Sequence, residues 1–375
     1  MPKKPDLLDF KILEALGRYG PRNITQVARK IGLPAETLRK RLKRIISQFF
    51  VRFHINIYHT NLGLKKAIVF AEATPGKEQL LFNCMKANDF WLAISRCYGR
   101  FEGCTGVFTI PKDHSEEFIQ FLKKITEVGV AQNLQVLWST CFQTVPFTCN
   151  WFDAPSETWA FQWDKWIEEV PTEGGELPYT LVDPEDFPIK GDEIDLFILK
   201  ELEKDAKVDL SVLSRKMGIS SQLAQYHFKN HILKRGLLES FDMTFFYFDR
   251  AISDVFFFVF KFDDKEHLSK FALSLLDKPF AWGLGKILGE NALFAKVYLT
   301  KFEFRNFIDA LSMLIRKGLL QSYSYVVQDL EKTSRQTISY EYFKSGSWIY
   351  DHNKHIQSLK DLVEGTELEQ RVRFT

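Results

Sequence analysis

The densest chemistry in the chain is a run of cations, Arg39-Lys40-Arg41 and Lys43-Arg44, on what reads as a helix. Leu38, Leu42 and Ile45 recur at helical spacing and face inward. That leaves Glu36, Thr37, Arg39, Lys40, Arg41, Lys43 and Arg44 on the outer faces. Such a face neutralises phosphates, and Glu36, Thr37 and Lys40, near the helix N-terminus, are placed to meet base edges. Residues 1–60 carry 13 Lys/Arg against 4 Asp/Glu, about +9, whereas the whole chain of 375 residues has a net charge of only +2. The positive charge is local, and a global polycation is excluded.

Other reactive groups are sparser. The five cysteines (Cys84, Cys97, Cys104, Cys141, Cys149) are odd in number and contain no Cys-x-x-Cys pair, so no disulfide framework is expected. Cys97 and Cys104 could be neighbours across a hairpin, as a redox or metal sensor needs. His54-x4-His59 and His227-x3-His231 are the closest histidine pairs. His227 and His231 align with Arg41 and the core residue Ile45, so their expected role is structural rather than metal binding. No nucleophile triad, phosphate-binding glycine loop or metal-ligand spacing stands out. No catalytic residue, metal or cofactor is therefore expected, and the chain reads as a non-enzyme.

The scaffold for the cations occurs twice. Displaced by 186 positions, Asp9 falls on Asp195, Ile12 on Ile198, Leu16 on Leu202, Gly32 on Gly218 and Ile46 on Ile232. Further on the offset is 190, with Phe90 on Phe280 and Gly99 on Gly289. The tails match at 189, Ser156-x-x-Trp159-x-Phe161 against Ser345-x-x-Trp348-x-Tyr350. Internal repetition at this length indicates a tandem duplication. In each copy, three short helical periods and an alternating strand give the pattern of a winged helix-turn-helix. A βαββαβ order follows, as in ferredoxin-like domains.

The expected fold is α+β: two winged helix-turn-helix domains and two ferredoxin-like βαββαβ domains forming an intramolecular pseudo-dimer, the two sheets stacked face to face. The expected segments are a first winged helix-turn-helix at 1–63 and a first ferredoxin-like effector and dimerisation domain at 64–146. A Trp-rich acidic extension and linker follow at 147–191. The second helix-turn-helix is at 192–250, the second ferredoxin-like domain at 251–330 and a C-terminal extension at 331–375. Residues 146–194 hold 2 Lys/Arg and 12 Asp/Glu, an acidic stretch that reads as a solvated linker. Its tryptophans, Trp151, Trp159, Trp163 and Trp166, read as packing pieces across the pseudo-dimer.

Leu8-Asp9-x-x-Ile12-Leu13, Val27-Ala28-x-x-Ile31-Gly32-Leu33, Leu38-x-x-Arg41-Leu42-x-x-Ile45 and Asn61-Leu62-Gly63 occur in order and are echoed in the second half. In this the chain resembles the leucine-responsive/asparagine-regulator (Lrp/AsnC) family of transcription factors. The resemblance covers about 6–145 and 192–328. It departs from the family in carrying two units per chain and in its tails.

The resemblance implies a sequence-specific regulator that binds double-stranded DNA, with Thr37, Arg39, Lys40, Arg41, Lys43, Arg44 and Arg52 as the main contacts. Gln222, Gln225, Tyr226 and Lys229 are the weaker, nearly uncharged counterpart in the second unit. It also implies a small effector, such as an amino acid, near Tyr98, Gly99, Arg100 and Glu102. A further homodimer is compatible with it.

Sirohaem decarboxylases resemble the same architecture and supply an enzymatic alternative. They use a His motif on the second sheet strand, which here reads Ser95-Arg96-Cys97-Tyr98 and Gly285-Lys286-Ile287-Leu288, without His. An adaptor whose second helix-turn-helix binds protein is a third reading.

Hydrophobic residues at 45% and charged residues at 26% are ordinary for a globular chain. The most apolar run, Val255–Phe260, falls far short of the roughly 20 residues of a membrane span. With no apolar signal region behind Met1-Pro2-Lys3-Lys4, a cytoplasmic protein without membrane partners is expected.

Overall fold

The computed structural model describes residues 5–49 and 51–373, so Lys3 and Lys4 of the basic head lie outside the described residues. The first unit opens with α1 (Leu7–Tyr19), α2 (Ile24–Lys30) and α3 (Ala35–Phe49), followed by the strand β1 (Arg52–Ile57). Asp6 and Asp9 form a reciprocal capping box at the start of α1, satisfying backbone donors that no helical carbonyl can reach. Asn23 caps α2 by accepting from the Gln26 amide. Ile12, Leu13, Leu16, Val27, Ala28, Leu38, Leu42 and Ile45 are buried together, the stripe that the spacing predicts.

Next come β2 (Leu64–Ala73), α4 (Glu78–Met85), β3 (Trp91–Gly99), β4 (Gly103–Pro111), α5 (Ser115–Glu127) and β5 (Ala131–Ser139). A short strand β6 (Gln143–Thr144), the hairpin β7 (Phe152–Asp153) and β8 (Thr158–Trp159), and α6 (Trp163–Glu169) form the first tail.

The second half repeats this order. It contains α7 (Glu193–Lys204), α8 (Leu210–Met217) and α9 (Ser221–Tyr226), which runs on as a π-helical stretch His227–Leu233. Strand β9 (Leu238–Thr244) leads to β10 (Ser253–Lys261), α10 (Lys265–Leu275), β11 (Ala281–Lys286), β12 (Ala292–Thr300), α11 (Lys301–Arg316) and β13 (Ser322–Arg335). The second tail holds β14 (Phe343–Lys344), β15 (Ser347–Trp348) and α12 (His352–Arg373).

The sheets do not simply stack. They join edge to edge in the order β5-β2-β4-β3-β13-β10-β12-β11-β6. Each unit's second strand meets the other unit's fourth-strand region. Thus β3 pairs with β13 (Val327 opposite Tyr98), and β11 pairs with β6 (Gly283 opposite Thr144). A bridge between Ser139 and Ile287 ties the end of β5 to the same edge. Because β5 and β6 are consecutive in the chain, the sheet curls back on itself into a barrel. Closure removes the exposed strand edges that face-to-face stacking would leave.

Ile68, Phe70, Leu137, Phe257, Val259, Phe294 and Val326, drawn from both halves, fill the space inside. The alternate residues, Phe256, Phe258 and Phe260 on β10 for example, pack outward under the helices. Burial on both faces explains the uninterrupted apolar run of β10.

β1 and β9 pair with each other as an antiparallel ribbon. Ile55 lies opposite Phe241, its counterpart at the 186-residue offset, so a pseudo-twofold axis passes through that pair. The tails are exchanged. Trp166 of the first tail packs on Phe271 and Phe307 of the second unit, and Trp163 Nε1 donates to Glu303 at 2.7 Å. In return, Trp348 Nε1 of the second tail donates to the Leu62 carbonyl at 2.6 Å, and Tyr350 accepts from Asn88 at 2.8 Å.

The acidic linker is no free solvated strand. Asp183 holds the buried Lys286 at 2.7 Å, and Asp186 holds Lys112 at 3.1 Å. All five cysteines are free and buried. Cys97 faces the barrel interior and Cys104 the helices, because Cys97 lies opposite Gly103 and neighbouring residues alternate faces. The cross-hairpin pair considered from sequence does not form. Burial raises the Cys104 thiol to about 12.

Candidate active site at the mouth of the barrel

A cavity of about 550 Å³ lies between one mouth of the barrel and the β1–β9 ribbon, within the size range of small-molecule sites. Its floor comes from inward-facing strand residues, among them Lys66 on β2, Phe257 on β10, Phe294 and Lys296 on β12, and Gln328 and Arg335 on β13. Its roof is the ribbon. On β1, Phe53, Ile55 and Ile57 are fully buried while Arg52, His54 and Asn56 alternate with them and keep exposure to the cavity side. Asp242 stands opposite His54, with His54 Nε2 at 3.7 Å from its carboxylate, and Asn56 donates to the same group at 3.1 Å. His59, from the turn after β1, is 3 % exposed and lines the wall with Glu203 and Lys204 at the end of α7.

The lining carries five cations (Arg52, Lys66, Lys204, Lys296, Arg335) against two carboxylates (Glu203, Asp242). This low-dielectric recess perturbs several of the groups that line it. Burial, reinforced by Arg335, lowers Lys296 to about 7. Burial also lowers Arg335, with Arg52 adding to it, and lowers Lys66. His54 is pushed down by burial and by Arg335, Arg52 and Lys296, and Asp242 only partly offsets this. His59 falls well below its ordinary value through burial and the nearby Lys66. Glu203 is raised to about 8 by burial, although the Ile338 amide donates to it at 2.7 Å.

Several polar atoms here lack a hydrogen bond of good geometry: His54 Nδ1, both ring nitrogens of His59, and Gln328 Oε1. Buried polar groups are ordinarily paired, so their concentration in one cavity marks a binding site. Aromatic faces add to the grip on ligands and cations alike. The Lys66 ammonium sits 3.9 Å from the Phe142 ring centroid, and Lys296 lies 5.3 Å from that of Trp282.

The structure separates the residues that the sequence groups as a DNA face. Arg39, Lys40 and Lys43 are exposed on α3, with Thr37 half-buried beside them. Arg41 and Arg44 are not on the outer face. Arg41 binds Asp6 and Asp9, each at 2.8 Å, and Arg44 pairs with Asp9, whose side chain is fully buried. Arg52 belongs to the cavity, where its guanidinium donates to the Lys204 carbonyl at 3.2 Å. Gln222, Gln225, Tyr226 and Lys229 are all exposed on the corresponding face of the second unit.

Tyr98, Gly99 and Arg100 are exposed at the β3–β4 hairpin, and Glu102 pairs there with Arg96 at 3.0 Å. None of the four lines the cavity. The sequence reading missed Lys66, Lys296, Arg335 and His59 as site residues. Two of them left a signal: Lys66 and Lys296 are single cations inside otherwise apolar strands. The histidines reach the cavity from β1 and the turn after it, not from the second sheet strand.

No family model matches the chain, and no curated protein is detectably similar in sequence. Solved structures do match in fold. A crystal structure of the siroheme decarboxylase NirDL aligns with a TM-score of 0.51 at 13% identity, covering 96% of this chain and 99% of that one. The same enzyme in complex with an iron-uroporphyrin III analogue gives 0.52 with the same identity and coverage. A transcriptional regulator from Neisseria meningitidis in complex with L-Met aligns at 17% identity and a TM-score of 0.32 over 39% of this chain and 98% of its own.

The mixed α+β architecture thus has a full-length counterpart. The expectation of a non-enzyme is overturned, because two solved structures that share the fold over nearly the whole chain are of a decarboxylase. Among the described residues no helix is long and apolar enough to cross a membrane.

Proposed function

We infer that the chain is a siroheme-decarboxylase-like enzyme that binds an iron tetrapyrrole bearing several carboxylate arms in the barrel-mouth cavity. The observation that carries this reading is the cavity's excess of cations over carboxylates, together with its histidine nitrogens that lack a well-formed hydrogen bond, which a polyanionic ligand would satisfy. The full-length likeness to NirDL supports it. The tandem duplication and the assignment of winged helix-turn-helix and ferredoxin-like domains, with boundaries near 63, 146, 191, 250 and 330, belong to the same reading.

Arg52, Arg335 and Lys66 hold carboxylates by charge-assisted hydrogen bonds. Decarboxylation of an acetate arm breaks the bond between the carboxyl carbon and the methylene. Carbon dioxide leaves, and the remaining electron pair must take a proton. Lys296, at about 7, titrates near neutrality, and His54 keeps a free Nδ1 facing the same space, so these two are the groups for proton delivery. Phe257, Phe294 and Trp282 supply the apolar contact that a macrocycle needs.

The test is titration of the purified chain with iron-uroporphyrin III, followed by absorbance and by mass spectrometry of the pigment. Saturable perturbation of the main absorption band and loss of carbon dioxide from the pigment are expected. Absence of binding overturns the reading, and binding without decarboxylation reduces the protein to a tetrapyrrole carrier.

A second reading, DNA contact through Thr37, Arg39, Lys40 and Lys43, is favoured by the exposure of these side chains on one helix. It predicts retention on duplex DNA that weakens steeply with salt.

A further inference from the structure

The start of the first helix and the third helix meet in both units, and the meeting is solved in two ways. In each unit a capping box fixes two carboxylates, Asp6 and Asp9 at α1, Asp192 and Asp195 at α7. In the first unit the third helix answers them with two guanidiniums, Arg41 and Arg44, and the charges cancel. In the second unit the answering groups are His227 and His231. His227 Nδ1 lies 2.8 Å from Asp195 and 3.5 Å from Asp192. His231 Nδ1 lies 3.1 Å and 3.6 Å from the same two. Imidazoles, unlike guanidiniums, carry no permanent charge to set against two carboxylates, and they are metal ligands, so one divalent cation would take the place that the two arginines fill in the first unit.

We propose that Asp192, Asp195, His227 and His231 form a binding site for a divalent transition-metal ion, zinc first among them. The four ligand atoms all lie within 4.8 Å of one another. A tetrahedral zinc site with bonds of about 2.0–2.1 Å requires ligand atoms about 3.3 Å apart. Measured to the nearer oxygen of each carboxylate, the nitrogen–oxygen separations run from 2.8 to 3.6 Å, around that edge, with each histidine facing a different oxygen of the same two aspartates. Two nitrogen and two oxygen donors suit zinc by chemistry as well.

The backbone supplies an independent sign. The third helix of the first unit is α-helical through Arg41–Ile45, whereas in the second unit it winds as a π-helix from His227 to Leu233. Residues four apart share one helix face, and both imidazoles lie on it, their centroids 4.4 Å apart. Local π-helical winding of this kind recurs at functional sites. The site clamps α7 to the third helix of its own module and stands apart from the barrel-mouth cavity, so its fate is independent of the enzymatic reading.

The experiment uses the full chain, stripped with a chelator and titrated with zinc against a chromophoric zinc indicator. One equivalent of zinc is expected to bind and to raise the thermal unfolding temperature. The informative variant is H227R/N230R/H231I, which installs the first unit's own solution, Arg41, Arg44 and Ile45, and so keeps a fold with precedent in the same molecule. In it the zinc affinity should fall by at least about 100-fold, with the fold retained by circular dichroism. H227A, which leaves three ligands, should show an intermediate loss. If the wild-type chain binds no zinc, or H227R/N230R/H231I binds it as well as wild type, the proposal is overturned and the cluster is a hydrogen-bonded cap only.

Discussion

Two cationic regions of this molecule use the same residue types under opposite conditions. On α3, Arg39, Lys40 and Lys43 stand in water. In the barrel mouth, burial of the charged groups lowers Lys66, Lys296 and Arg335 from their ordinary values, and neighbouring guanidiniums add to the shift of the last two. Exposed charges are screened and cost the fold little. Enclosed charges of one sign are held at a cost, and a bound polyanion would repay it. A cation count along the sequence points to α3, whereas the energetic strain lies in the cavity.

The largest test of this contrast is Arg335→Ala combined with Lys66→Met. Affinity for iron-uroporphyrin III should drop by about 100-fold, the sum expected from two lost charge-assisted contacts. Isothermal titration checks it, and a loss under threefold would erase the distinction between the two regions.

Next in size is a contrast within α3 itself. Arg41→Ala removes one of the two guanidiniums that hold the fully buried Asp9 and should destabilise the chain by about 2 kcal/mol, whereas Arg39→Ala should cost under about 0.5 kcal/mol. Denaturant melts of the two variants decide it. Any DNA-binding loss in an R41A or R44A chain therefore has to be separated from unfolding.

A third test is pH. Lys296 is a cation below about 7 and an amine above it. Carboxylate affinity should fall as pH rises through that range, with the midpoint displaced upward once anions are bound, and K296M should flatten the profile. For the ligand-free chain the sign reverses. Above 7 the native state holds fewer protons at Lys296 than the unfolded chain, so this group's contribution to stability rises towards the ordinary lysine range near 10.5.

The smallest effect is expected from removing the exposed charges. R39A/K40A/K43A should change tetrapyrrole affinity by less than about twofold, while lowering the slope of any duplex-DNA retention against salt.

The helices and strands were legible because apolar spacing is local: Leu38, Leu42 and Ile45 mark a helix, and Ile68 and Phe70 a strand, whatever surrounds them. The cavity was not legible. Its polar residues come from β1, β2, β9, β12 and β13, which only the closed barrel brings together. His54 and Asn56 alternate with Phe53 and Ile55 on β1, a pattern that reads as one face towards water. That face does meet open space, but the space is an internal recess. Arg41 and Arg44 misled for a related reason. Helical spacing cannot tell solvent from a neighbouring helix end, and the capping aspartates that receive them lie more than thirty residues away.

The exchanged tails have a consequence for synthesis. The first half leaves the ribosome with the β3 edge bare and the hollow around Phe90 unfilled, because β13, Trp348 and Tyr350 that cover them are made last. The first tail likewise waits for Phe271 and Phe307. Neither half can finish alone, so maturation must be slow and late, governed by contacts between residues more than two hundred positions apart. During that interval the unfinished half is a target for chaperones. Two separately expressed halves, by the same token, should find each other and assemble.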